Sequence, residues 1–207
     1  MYPNKVNHIA LSILIVLLCG CRTTNRLTED DLRWIPYEGN EILVFNSDSG
    51  ESDTIFLLGI SRYINPSDPL DIFPKKLEHL TILARSSDPN PPRGVEHRYL
   101  EGAFLELSRT VSGSSYLTIH HSGKDAWFYG GSFLPLNDLD TMTSLTLETK
   151  SGTYKDVLKF KPESDEYSNR GNFIDAVYWS KSAGLIRYDK RDGVTWTIGE
   201  RYHSDRR

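Results

Sequence analysis

A chain of 207 residues with a formal net charge of −4 and no basic run suits one domain, long enough to bury its apolar surface without covalent staples. Its mixed, mildly acidic charges read as a solvated surface and exclude a nucleic-acid partner, which needs Lys and Arg against phosphates.

The first eight residues, MYPNKVNH, carry Lys5, and Ile9–Leu18 form an apolar block, IALSILIVLL. The block is short of the roughly 20 apolar residues that span a bilayer. A charged start, a short apolar stretch and a small residue before a cut make a secretory signal. Leu18-Cys19-Gly20-Cys21 resembles the lipobox of bacterial lipoproteins. The resemblance implies cleavage before Cys21, a thioether-linked diacylglycerol on its sulfur and a further fatty acid on its amine. Cys19 leaves with the signal. Each buried methylene contributes about 0.8 kcal/mol, so two or three chains anchor the protein stably. Arg22 stands where an Asp would favour inner-membrane retention, which leans the sorting toward the outer membrane. Glu29-Asp30-Asp31 resembles the acidic export signals of surface lipoproteins in Bacteroidota; it reads equally well as a helix N-terminus. The lipobox takes up both cysteines, so a disulfide framework, a thiolate zinc site and a cysteine nucleophile are excluded together. The chain then divides into a removed signal peptide (1–20), a lipidated tether with a short helical turn (21–40), a single β domain (41–203) and a polar tail (204–207).

After a polar tether over residues 22–28, Thr28 can cap a helical turn with Asp31 three residues on, and Pro36 ends it. Ile42–Phe45 and Thr54–Leu58 flank Asp48-Ser-Gly-Glu51 and read as a hairpin. Arg62–Lys76, with Pro66, Pro69 and Pro74, reads as a long loop. Strands are expected at 80–84, at 99–111 with a bulge at Gly102, at 116–121 and at 126–129. Residues 136–144 form the one internal helix, capped by Asn137 or Asp138. The hairpin 145–160 follows. A regular meander closes the chain over 173–180, 185–188 and 194–198, its last turn carried by Asp192-Gly193. About ten evenly spaced strands with little helix predict an all-β fold: an antiparallel meander forming a curved sheet, open barrel or sandwich. The stretches 31–45, DLRWIPYEGNEILVF, and 177–198, VYWSKSAGLIRYDKRDGVTWTI, resemble the mature start and closing hairpins of uncharacterised β-rich lipoproteins of Bacteroidota. That family has no assigned activity, so no functional residue carries over.

No nucleophile-elbow, zinc-protease or phosphate-loop motif is present. Gly130-Gly131-Ser132 lacks the elbow's final glycine. His120-His121 would point to opposite faces of a strand and cannot chelate one ion. Asn46–Asp53 echoes a calcium loop without its full spacing and reads as a polar turn. No metal or cofactor is expected. The remaining signal is aromatic: Trp127, Phe128, Tyr129, Tyr178, Trp179, Tyr188 and Trp196 crowd the later strands. Adjacent rings on a strand occupy both faces, so they form either a core with a packed second face or a cleft for an apolar or sugar ligand, with Trp127, Tyr129, Trp179 and Trp196 as its ligand-binding residues. The leading expectation is a non-catalytic binding or interaction module held on the outer membrane of the cell envelope. The alternatives are a structural subunit with an envelope protein partner and no small ligand, and a hydrolase using a carboxylate pair.

Overall fold

The computed structural model describes residues 24–68, 70, 74–86, 101–123, 126–127, 134–161 and 171–203. The lipobox, Phe128, Tyr129 and Gly130-Gly131-Ser132 lie outside them.

The elements in chain order are β1 (Thr24–Asn25), α1 (Glu29–Leu32), β2 (Glu41–Ser47), β3 (Ser52–Pro66), β4 (Lys76–Ser86), β5 (Glu101–Arg109), β6 (Ser115–Ile119), β7 (Ser122–Gly123), β8 (Ala126–Trp127), β9 (Leu134–Pro135), α2 (Leu136–Thr141), β10 (Leu145–Thr149), β11 (Gly152–Phe160), β12 (Ile174–Ser180), β13 (Gly184–Lys190) and β14 (Thr195–His203). Apart from the small β7–β8 pair, all strands join one curled sheet in the order β10-β11-β12-β13-β14-β2-β3-β4-β5-β6-β9, with β1 beside β4. The fold is thus all-β, a half-barrel with two short helices among the described residues. Two meanders, β2–β6 and β10–β14, are sewn together by antiparallel pairing of β14 with β2, where Trp196 faces Ser47 and His203 faces Glu41. The seam carries a buried charge. Glu41 accepts backbone N–H bonds from Glu38, Gly39 and Asn40 at 2.7, 2.7 and 3.0 Å and an Arg201 bond at 2.8 Å. Burial pushes its carboxyl up, and the bonds outweigh that and hold it below the usual range.

Bulges curl the sheet. Leu58 is the extra residue between Leu57 and Gly59 opposite β4, and Phe104 is the extra residue opposite Ile82–Leu83. The β5 irregularity therefore falls at Phe104, two residues after the expected Gly102. It explains why consecutive Phe104 and Leu105 are both buried, since a bulge re-aims one side chain inward.

Three expectations need correction. β3 runs on to Pro66, antiparallel to β4 down to Lys76, through the first third of the stretch read as loop. Proline is tolerated there because β3 past Phe56 pairs with β4 alone, so its other side is an edge. The tether is shorter than expected: Thr24 and Asn25 pair in parallel with Lys76 and Leu77, and Leu27 is buried. The helix α2 starts at Leu136 after Pro135, without a side-chain cap, because Leu136 and Leu139 are the residues it buries. The Thr28 cap on α1 is present as a reciprocal box with Asp31.

Candidate functional site

The interior of the half-barrel is a run of rings. Trp179 meets Tyr37 (centroids 5.8 Å apart), Tyr37 meets Phe104 (5.7 Å), Phe104 meets His121 (6.2 Å), His121 meets Tyr188 (4.5 Å) and Tyr188 stacks on Trp196 (5.8 Å). Trp179 and Trp196 are 0% and 1% exposed. These two rings are packed core, not the wall of an open cleft. Their positions follow from strand alternation: Trp179 points inward, while its neighbour Tyr178 joins Val157 and Ala176 in a second cluster on the opposite face. There the Tyr178 ring is flanked by Lys159 at 5.2 Å and Arg187 at 4.9 Å, and its hydroxyl donates to Asp189 at 2.8 Å. The backbone of Trp127 pairs with Ser122 in the β7–β8 hairpin. Tyr129 lies outside the described residues.

His120 and His121 follow the end of β6, the first exposed and the second buried. Among the described residues no cluster of three or more His, Cys, Asp or Glu side chains could hold a metal ion. Both His121 ring nitrogens lack a hydrogen-bond partner, and burial among Phe45, Phe104 and Tyr188 pushes the imidazole down to about 3. Tyr188 donates to Asp53 Oδ2 at 3.0 Å, and burial together with that carboxylate pushes its phenol up. The oxygens of the calcium-like stretch are also taken up locally: Asn46 Oδ1 accepts from Ser52, and Ser47 Oγ pairs with Ser49.

Sequence reasoning passed over a polar trio on β4 and β5. His79 Nδ1 lies 3.1 Å from Ser108 Oγ and 3.3 Å from Glu106 Oε1, and Ser108 Oγ donates to Glu106 at 2.8 Å. Both contacts fall on one ring nitrogen. A serine–histidine–acid relay needs the serine on one nitrogen and the acid on the other, so this trio does not form one.

An open cavity lies elsewhere. A groove of about 470 Å³ is lined by Asn46, Ser47 and Asp48 of β2 and its turn, Glu148, Thr149 and Lys150 of the β10–β11 turn, and Thr195, Thr197, Ile198 and Gly199 of β14. Each wall is fixed by short bonds. The Asp48 N–H donates to the Thr195 carbonyl at 3.0 Å, and the Thr195 N–H donates to Asp48 Oδ1 at 3.3 Å. Ser151 Oγ donates to the Ile198 carbonyl at 3.0 Å and so pins the β10–β11 turn over β14. Gly199 is the bulged residue opposite Val44–Phe45, and a Cβ there would collide with the Asn46 amide. Glu148, Lys150 and Thr197 make no side-chain hydrogen bond or ion pair among the described residues, which leaves a carboxylate, an ammonium and a hydroxyl free to face a ligand. The groove combines those groups with the aliphatic parts of Ile198 and the threonines. No sequence motif marks it, because its three walls are separated by about a hundred and by about forty-five residues.

Comparison of the chain with family models, with curated proteins and with solved structures found no match.

Proposed function

We propose that the chain is a lipoprotein of the bacterial cell envelope, anchored through lipid on Cys21 to the outer membrane, whose domain is a non-catalytic binding module for a polar, hydroxyl-rich ligand such as a glycan segment. The groove carries this reading. Its hydroxyl, amide and carboxylate groups beside short aliphatic patches match the alternating polar and C–H surface of a sugar. An apolar ligand has less support, because the two central tryptophans are core residues. Asp48 and Glu148 share the groove, but both are exposed to solvent. That setting favours hydrogen bonding to a ligand over the buried acid of a hydrolase. The groove lies at the Ser52 end of β3, and Thr24 pairs near the Pro66 end, so a Cys21 anchor would present the groove away from the membrane.

The anchor is tested by growth with labelled fatty acid. Label should be lost from a Cys21→Ser chain, because a serine hydroxyl is too weak a nucleophile at neutral pH, and kept in a Cys19→Ser chain. Equal labelling of parent and Cys21→Ser would refute the anchor.

A further inference from the structure

We infer that the end of the half-barrel made by β1, the far end of the β3–β4 pair and the β5–β6 turn rests on the lipid bilayer, with Leu70 and Val111 entering the lipid and Lys75 and Lys76 meeting lipid phosphates. The inference rests on the lipidation of Cys21 proposed above.

Three residue steps separate Cys21 from Thr24, a reach of at most about 11 Å. The headgroup layer of one leaflet already takes up about 5–7 Å of that. Thr24 itself cannot swing free, since it and Asn25 are in register with Lys76 and Leu77. Asn25 Nδ2 donates to the carbonyls of Thr110 and Val111 at 2.8 and 3.3 Å, and Lys75 Nζ donates to the Val111 carbonyl at 3.1 Å. The anchor point, the β3–β4 end and the β5–β6 turn are therefore one rigid end, held within a few residues' length of the lipid.

The surface at that end suits a bilayer. Leu70 is 91% exposed, the most of any large apolar side chain among the described residues, and Val111 is 47% exposed. Both would be stranded in water and covered in lipid. Lys75, bonded to the Val111 carbonyl, and Lys76 lie exposed at the same end. The nearby carboxylate of Asp68 is turned back on its own loop, accepting the Leu70 N–H at 2.8 Å. Two exposed apolar side chains with two lysines at the same end form a pattern that seats at a membrane interface.

The test uses the full lipidated chain in vesicles of phosphatidylethanolamine and phosphatidylglycerol. The mature chain has no other thiol, so Leu70→Cys, Val111→Cys and, at the opposite end of β3, Ser49→Cys can each carry one environment-sensitive fluorophore. Probes at 70 and 111 should shift to the blue, be quenched by lipid-borne quencher and be shielded severalfold from aqueous iodide. The probe at 49 should stay open to iodide. Equal iodide access at all three positions, with labelled fatty acid present on Cys21, would overturn the docked orientation and leave the lipoprotein reading standing. Absence of fatty acid on Cys21 would overturn both. Shielding at 70 and 111 from iodide without quenching by the lipid-borne quencher would assign this end to a second copy of the chain and overturn the lipid contact.

Discussion

Two regions of opposite character meet on β14. Trp196 points into the interior and is closed off among rings, while Thr195 and Thr197 line an open polar groove. The interior spends its large aromatics on packing: with no cysteine among the described residues, the Trp179-to-Trp196 run spans from β12 through β5 and β13 to β14. The groove carries few buried contacts and several free polar groups. Holding the half-barrel and meeting a ligand are thus assigned to different residues, and substitutions should separate them.

The largest effect belongs to the interior. Trp179→Ala or Trp196→Ala should each cost about 3–5 kcal/mol of stability, because each removes a fully buried indole and leaves a cavity. Chemical denaturation of the two variants measures this. A loss below about 1 kcal/mol at either position would mean that the ring is not core, and the contrast between the regions would fail.

A smaller effect comes from His121. The imidazole titrates near 6.5 when unfolded and at about 3 in the folded chain. Between those values the unfolded state takes up the proton first, so stability falls as the pH drops below 6.5, by up to about 1.4 kcal/mol per pH unit. Above 6.5 the group is neutral in both states and contributes no slope. A drop to pH 5 should therefore cost about 2 kcal/mol through this residue. His121→Phe keeps a ring among Phe45, Phe104 and Tyr188 and removes two unpartnered nitrogens. Denaturation at pH 7.5 and pH 5 should show a flatter acid loss in the variant. An unchanged loss would place the acid sensitivity in other groups.

What was legible in the sequence was local. Ile42–Phe45 against Thr54–Leu58, the 145–160 hairpin and the closing meander were visible from alternation and from turns such as Asp192-Gly193, and all of them formed. The pairing of β14 with β2 was not visible, because no short-range signal links residues more than 140 positions apart. The outer half of β3 was missed because Ser61–Pro66 is exposed on both faces, so it carries no one-sided apolar pattern, and Pro66 read as a breaker when it is only the strand's end. Surplus aromatics were visible, and so was the two-face arrangement of Tyr178 and Trp179. Whether a ring faced a core or a cleft depended on the curl set by the Leu58 and Phe104 bulges, which adjacent residues do not reveal. The groove was invisible for the same reason: Asn46, Glu148 and Thr197 acquire a common role only once β14 is seated between β2 and the β10–β11 turn.

The smallest change to the fold should bring the largest change in recognition. Thr197→Val combined with Glu148→Gln alters two groove side chains without internal partners, so stability should stay within about 0.5 kcal/mol of the parent. The decisive measurement is calorimetric titration of the full chain in detergent micelles with a panel of neutral and uronic-acid-containing oligosaccharides. At least one member should bind the parent at a saturable site, bind the His121→Phe chain equally well, and bind the groove double variant at least about tenfold more weakly, the loss of roughly one charge-assisted hydrogen bond. No saturable binding by the parent, or binding that survives the groove substitutions undiminished, would contradict the assignment of the groove as a glycan site.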